Sequence, residues 1–447
     1  MAPARTGVAA YSTDVVAGLS QFHDIDVFAD EPSARAARTA GVPPAIRSAH
    51  DFVWEQRLRP YDLTVFQLGN SSAHDFLWPY LFRYPGLAVL HDVHLQHARA
   101  AALLRARRAS EYRAEFAASH PEASADMAEL AVRGFDTHLY YQWPMTRLVV
   151  GVSRATAVHS RLSAAELAEF SPAAAIEVIR LGHGERLSAE RSSAARIAVR
   201  NQFGIPGDAV LFGVFGGLTP EKRLPQVLRA FAALLPSEPG IRLLLAGAPA
   251  DHYDIARAVQ GLGVGETVTI TGYLEDDRAF MDTVAACDVS INLRWPTARE
   301  VSGPWLRALA AGKPTITTDL AHTADVPALD PRNWTVSHAS TDLEVAPEPV
   351  TVAIDIVDED HSLRLAMRRL ATDPDLRARL GRAASSFWER SHSTASTIDD
   401  YHDVITRALS RPAPAVDLPA HLRNDGSTTL RALLEPFGIV EDLWGTI

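Results

Sequence analysis

The sequence predicts two α/β domains, each a parallel sheet wound by crossover helices, and three observations carry that expectation. The chain has 447 residues, more than one hydrophobic core usually serves. Short runs rich in Val, Leu and Ile alternate with longer helical stretches, which is what strands buried on both faces require. The alternation also occurs twice: "DLTVFQLG", "GLAVLHDV", "RLVVGVS" and "AIEVIRLG", then "AVLFGVFGG", "IRLLLAG", "TVTITGY", "DVSINLR" and "KPTITTD".

The first series ends near His183 and Gly184, and the stretch from Glu185 to Phe203 is charged, Ala-rich and without a strand pattern, as a connector would be. The expected divisions are an N-terminal domain over 1–187, a C-terminal domain over 188–392, and helices with a tail over 393–447 that can return to the first domain. More than fifty residues of helical pattern lie between the strand ending at His91 and the one expected at Leu148, so a helical insertion is expected at about 95–145. The chain opens with "MAPARTGVAAYSTDVVAGLS", a Gly-containing loop leading into a helix with no strand pattern before it. In a doubly wound sheet that strand would be central, so either the start lies upstream or another segment fills its place.

Composition narrows the class. Hydrophobic residues make up 47% and charged ones 22%, as in globular proteins. No run of about 18 apolar residues is free of charge and no basic flank precedes an apolar leader, so a cytoplasmic protein is expected. The net charge of −11 argues against general nucleic-acid affinity. One basic stretch, Arg99 to Arg113, carries five Arg on a helical pattern; it reads as a solvated face or as peripheral contact with an anionic inner membrane face. The single Cys287 lies between an apolar helix end and a strand and reads as core filler.

Open α/β sheets bind ligands beyond the carboxyl ends of their strands, so the loops after the apolar runs are the candidates. In "ARTGVAAYS", Gly7 allows close backbone approach before a helix, or serves as a plain turn. In "VLHDVHLQH", His91 and Asp92 end a strand, where an imidazole can donate, accept or carry a proton and the Asp can cap a helix. The spacing of His91, His94 and His97 departs from familiar zinc patterns, and no metal is expected. In "FGVFGGLTPEKR", Gly216 and Gly217 precede Lys222 and Arg223 at a helix start, where an anion would relieve the clash of cations with the helix dipole. Neither G-x-G-x-x-G nor a Walker loop is present, so a diphosphate is the expected ligand. In "RWPTAREVSGPWLRALAAGKPTI", Arg294, Arg299, Glu300, Ser302 and Gly303 precede an apolar helix with Pro304 in its first turn. Its amides and Arg294 suit phosphate, and a carboxylate suits sugar hydroxyls; alternatively Glu300 pairs with a neighbouring Arg.

These residues resemble a family. "TGVAAYS", "LHDVH", "LGHG", "GGLTPEKR", "LLLAGAP", "ITGYLEDD", "PTAREVSGPWLRALAAGKPTITTD" and "DPDLRARLGRAASSFWERSHS" look like the nucleotide-sugar glycosyltransferases of the GT-B fold, in the large retaining family four. The nearer resemblance is to a subgroup with an R-x-P-T-x-x-E-[TS]-S-G loop, matched by Arg294, Pro296, Thr297, Glu300, Ser302 and Gly303, with Val301 the departure. The family's usual pair of Glu would fall on Arg299 and Arg307, so the ribose contact of the second Glu is unassigned.

The resemblance implies an α/β GT-B fold of two Rossmann-like domains facing each other across a cleft. It also implies a hexosyltransferase that moves sugar from a nucleoside diphosphate to a carbohydrate, lipid-linked or small-molecule hydroxyl acceptor, with retention of configuration. It places His91, Lys222 and Glu300 in catalysis, and Gly217, Arg223, Arg294, Ser302 and Gly303 on the donor. Gly272, Tyr273 and Leu274 would meet the base, and Gly7, Asp92 and His183 the acceptor side. No cofactor besides the nucleotide-sugar co-substrate is expected. A GT-B phosphorylase or nucleotide-sugar epimerase, or a non-catalytic nucleotide-sugar binding protein, are the alternatives.

Overall fold

The computed structural model describes residues 7–40, 46–135, 139–250, 253–274, 276–298, 300–319, 326–337, 348–423 and 432–438. Its strands are β1 Val27–Ala29, β2 Ile46–Ser48, β3 Val65–Leu68, β4 Leu87–Leu90, β5 Ala155–Val158, β6 Ile176–Val178 and β7 Val210–Phe215. They continue with β8 Ile241–Ala246, β9 Val268–Ile270, β10 Val289–Asn292, β11 Thr315–Thr318, β12 Ala328–Leu329, β13 Val336–Ser337 and β14 Thr351–Ile354. Chain contacts divide these into two compact units, and the chain passes between them several times: one unit takes 1–26, 159–165 and 178–402, the other 27–158, 166–177 and 403–447. The opening helix Gly7–Leu19 thus groups with the later unit rather than with the rest of 1–187. The reason is side-chain fit: Gly18 leaves room for Ile398, where an added Cβ would come within 2.5 Å of its Cδ1, and Tyr11 Oη reaches Tyr401 Oη at 3.2 Å.

The larger unit holds one sheet in the order β13-β12-β14-β11-β10-β7-β8-β9, parallel except for the β12–β13 pair. Its centre is apolar on both faces: Phe212, Val214, Leu243, Leu245, Ile291 and Ile316 are buried with the helix residues Val227, Leu228 and Phe231 on one, and Leu211, Phe215, Leu244 and Ala246 with Val284 and Ala308 on the other. Cys287 is buried as well, as the sequence led one to expect. The other unit holds a parallel four-stranded sheet, β3-β4-β5-β6, and a separate parallel pair, β1-β2.

One strand expected from "RLVVGVS" is instead the helix Arg147–Val152. Val149, Val150 and Val152 are buried on it and Ser153 Oγ donates back to Val149 O at 2.7 Å, an i−4 contact that helical geometry provides. The true strand is β5, which follows at Ala155. Helices Gln96–Arg105, Ala109–Ser119, Ala125–Val132 and Leu139–Gln142 lie between β4 and β5.

Candidate functional site

The site in the larger unit begins where β7 stops. Gly216 has φ +83°, in the region that favours glycine, and the ends of β7 and β8 come close enough there that a Cβ on Gly247 would sit 2.1 Å from Gly216 O. The turn delivers Pro220–Lys222 as a short 3-10 helix, and Lys222 Nζ folds back to donate to Phe215 O. A Cβ built on Gly216 would lie 2.7 Å from Lys222 Nζ and 3.5 Å from Pro304 Cγ. The ammonium and the first turn of the helix Gly303–Ala310 therefore flank the same glycine. Burial pushes the Lys222 pKa down to about 7, with Arg294 adding to the effect and Glu300 opposing it.

Replacing Gly247 by Ala forces the Gly216 carbonyl aside and should cost about 1–3 kcal/mol of stability. Turnover should fall by up to about 10²-fold through displacement of the Lys222 turn. Thermal unfolding and steady-state kinetics check this; unchanged kinetics would mean that the turn does not position the site.

The helix Gly303–Ala310 starts where the sequence places it. Ser302 is its N-cap, accepting from Trp305 N at 3.3 Å, and Pro304 has no N–H, so the amides of Ser302 and Gly303 are the ones the helix start leaves without an intrahelical partner. Trp305 Nε1 donates to Thr315 Oγ1 at 3.2 Å and ties this helix to β11. The preceding loop is organised by Glu300: Arg294 Nε donates to Oε1, while Thr297 Oγ1 at 2.7 Å and Ala298 N at 2.9 Å donate to Oε2. Burial alone would raise its pKa, but Arg294 and Thr297 hold it below the usual range, so it is a carboxylate. Both oxygens already serve the loop, and a sugar hydroxyl would use their remaining lone pairs. Arg299 lies outside the described residues.

His183 is tied into the framework of the larger unit. Expected on the acceptor side, it is buried in the larger unit at 8% exposure, where Arg307 Nε donates to its Nε2 at 2.9 Å and its carbonyl accepts from Trp388 Nε1 at 2.9 Å. Arg can only donate, so the neutral imidazole carries its proton on Nδ1, which has no partner among the described residues. Burial, then Arg307, lowers the His183 pKa to about 3. Gly303 has to be glycine against this ring, since a Cβ would meet His183 Cδ2 at 3.0 Å.

Arg307 also donates through Nη2 to Asp277 Oδ1 at 2.8 Å and lies 4.5 Å over the Phe280 ring. Asp14, on the opening helix, has its carboxyl raised by burial and by Asp277, with Arg307 opposing. Gly216 stood out in the sequence, whereas Gly247, Asp14 and Asp277 did not; of these only Gly247 carried a signal, as the strand-end glycine of "LAG".

The other candidates divide. Arg223 takes left-handed backbone, φ 58°, and its guanidinium grips Glu359, with Nε to Oε1 at 2.7 Å, which ties it to the helix Glu359–Thr372. An added Cβ on Gly217 or Gly7 would meet nothing within 4 Å among the described residues. Gly272 has φ +76° after β9, Tyr273 is exposed and Leu274 packs on the core beside Phe280. In the other unit, His91 Nε2 meets Gln67 Oε1 at 2.8 Å, and Asp92 Oδ2 accepts from Asn70 N at 2.6 Å. Asp92 thus holds the loop after β3.

The basic stretch is mostly committed. Arg99 is buried and bidentate to Glu115, Arg108 pairs with Glu111 and Arg113 with Glu129, while Arg105 and Arg107 are exposed. Among the described residues no helix is long and apolar enough to cross a membrane.

Residues 209–342 match the family described as glycosyl transferases group 1. No curated protein matches the chain. Among solved structures, HepE of Anabaena in complex with UDP and glucose is 14% identical, with 91% of this chain and 97% of that one covered at a TM-score of 0.58. Sucrose-phosphate synthase of Thermosynechococcus elongatus is 15% identical over 90% of this chain and 93% of its own, TM-score 0.57. WaaG, a glycosyltransferase involved in lipopolysaccharide biosynthesis, is 14% identical over 90% and 96%, TM-score 0.55. The fold is that of the GT-B glycosyltransferases, and the matched domain with these neighbours supports a glycosyltransferase enzyme.

Proposed function

We propose that the chain is a retaining glycosyltransferase of the family-four type, drawing a sugar from a nucleoside diphosphate onto a hydroxyl acceptor. The observation that carries this reading is the meeting of Lys222 Nζ and the start of the helix Gly303–Ala310 at Gly216. A cation beside exposed helix amides is what a departing diphosphate needs, because negative charge grows there as the glycosidic bond breaks. The C1–O bond to the diphosphate breaks, a C1–O bond to the acceptor forms on the same face, and the acceptor proton passes to a diphosphate oxygen. No protein base and no metal is required for that balance.

Glu300 and Arg294 shape the sugar side of the loop, and the backbone at Gly272, Tyr273 and Leu274 meets the base. The His91 ring, fixed in orientation by Gln67, serves as a polar neighbour of the transferred sugar. The acceptor is carbohydrate, lipid-linked or a small molecule, and any peripheral contact with an anionic inner membrane face falls to Arg105 and Arg107.

A thermal-shift panel of UDP, GDP, ADP and their sugars tests the reading. At a hundred times its dissociation constant the true donor should stabilise by about 2.7 kcal/mol. A panel without any stabilising nucleotide would overturn the proposal.

A further inference from the structure

We propose that Asp277 is the carboxylate that accepts the ribose hydroxyls of the nucleotide, and that Arg307 is the positioning residue that holds it in place. This deepens the nucleoside diphosphate reading and rests on it.

Arg307 itself cannot take ribose in this way. It has donors only, and it is engaged: Nε with His183, Nη2 with Asp277, and its plane over Phe280, with the side chain 8% exposed. Asp277 is the reverse, 70% exposed and tied to Arg307 through Oδ1 at 2.8 Å. No donor among the described residues engages its Oδ2, which remains able to accept. The tie fixes the carboxylate before any ligand arrives, so a ligand loses little further rotamer freedom in using it.

Position agrees with chemistry. Asp277 opens the helix Asp277–Ala286 immediately after the loop Gly272–Leu274, assigned above to the base. Arg307 stands four residues beyond Gly303, one turn along the helix whose start is assigned to the diphosphate. One turn is about 5–6 Å, the scale of the step from a phosphate to the ribose diol. A vicinal diol donates to a carboxylate, and acidic side chains serve ribose in this way in other dinucleotide-binding α/β folds. Asp14, on the opening helix, is the competing carboxylate, since it senses both Asp277 and Arg307.

The test is titration calorimetry of the full chain with UDP, GDP and ADP and with their 2′-deoxy and 3′-deoxy forms. The wild type should prefer the ribonucleotide by about 10- to 100-fold, the scale of a hydrogen bond to a charged group. Asp277→Asn keeps an oxygen for Arg307, so the fold is retained; it should bring the preference to within about twofold and leave the deoxy affinities unchanged. Arg307→Met should lose the preference too, with part of it restored in Arg307→Lys. A preference that survives Asp277→Asn, or disappears in Asp14→Asn instead, would overturn the assignment while the diphosphate reading stands. A wild type that binds none of these nucleotides would overturn both.

Discussion

Lys222→Ala should lower kcat by about 10²–10³-fold while leaving the protein folded, because it removes a cation held against the start of the helix Gly303–Ala310. The scale is that of deleting a single preorganised donor from a site where charge develops. Arg223 cannot substitute, being gripped by Glu359, and Arg294 is paired with Glu300. Steady-state kinetics with the donor found by the thermal-shift panel provide the measurement. Wild-type turnover in this variant would remove Lys222 from the mechanism. Stability should change little and in the favourable direction, since a cation whose pKa is lowered by burial is one that folding disfavours.

The largest loss of stability is expected elsewhere, at Glu115. This carboxylate is 0% exposed, takes two hydrogen bonds of 2.6 Å from Arg99, whose side chain is 8% exposed, and a third contact of 2.7 Å from His421 Nε2. Arg99 also lies 4.5 Å over the Trp78 ring. Glu115→Ala leaves a buried guanidinium without its anion and should cost about 3–5 kcal/mol in denaturant unfolding. Replacing both partners, Arg99→Met with Glu115→Leu, should recover most of that, because a well-filled apolar pair avoids the desolvation of two ions.

The pH dependence of this site has a definite sign. Burial alone would raise the Glu115 pKa, but Arg99 and His421 hold it below the usual 4.5. The stability it contributes is therefore full above that value and is lost as pH falls through the lowered one. A Glu115→Ala variant as stable as the wild type would show that the insertion does not depend on this pair.

Much of the fold was legible because its strands are apolar on both faces. β7 and β8 are such runs, and a parallel sheet needs them. "RLVVGVS" was misread for the same reason, since a short buried helix and a buried strand have one composition. The two-residue β12 and β13 and the three-residue β1 and β2 are too short to show a period.

At the site, what was legible was local in sequence. The Ser302 cap, Pro304 and the loop carboxylate Glu300 lie within a few residues of one another, and turn chemistry ties such residues together. What joins distant segments was not: Arg307 with His183 and Asp277, or Arg223 with Glu359. A charged side chain in sequence does not announce its partner. The burial of His183 beside Arg307 was therefore not legible.

Calorimetric titration of UDP or GDP at pH 8, in two buffers of different ionisation enthalpy, addresses the central claim most directly. With its pKa near 7 in the unliganded protein, Lys222 is mostly neutral at pH 8, and a diphosphate that it contacts must draw a proton onto it. An uptake of about 0.9 proton per nucleotide is expected, with affinity falling by up to about tenfold per pH unit above 7, and Lys222→Met should abolish the uptake. Tight binding with no proton uptake, and with equal affinity in Lys222→Met, would contradict the account.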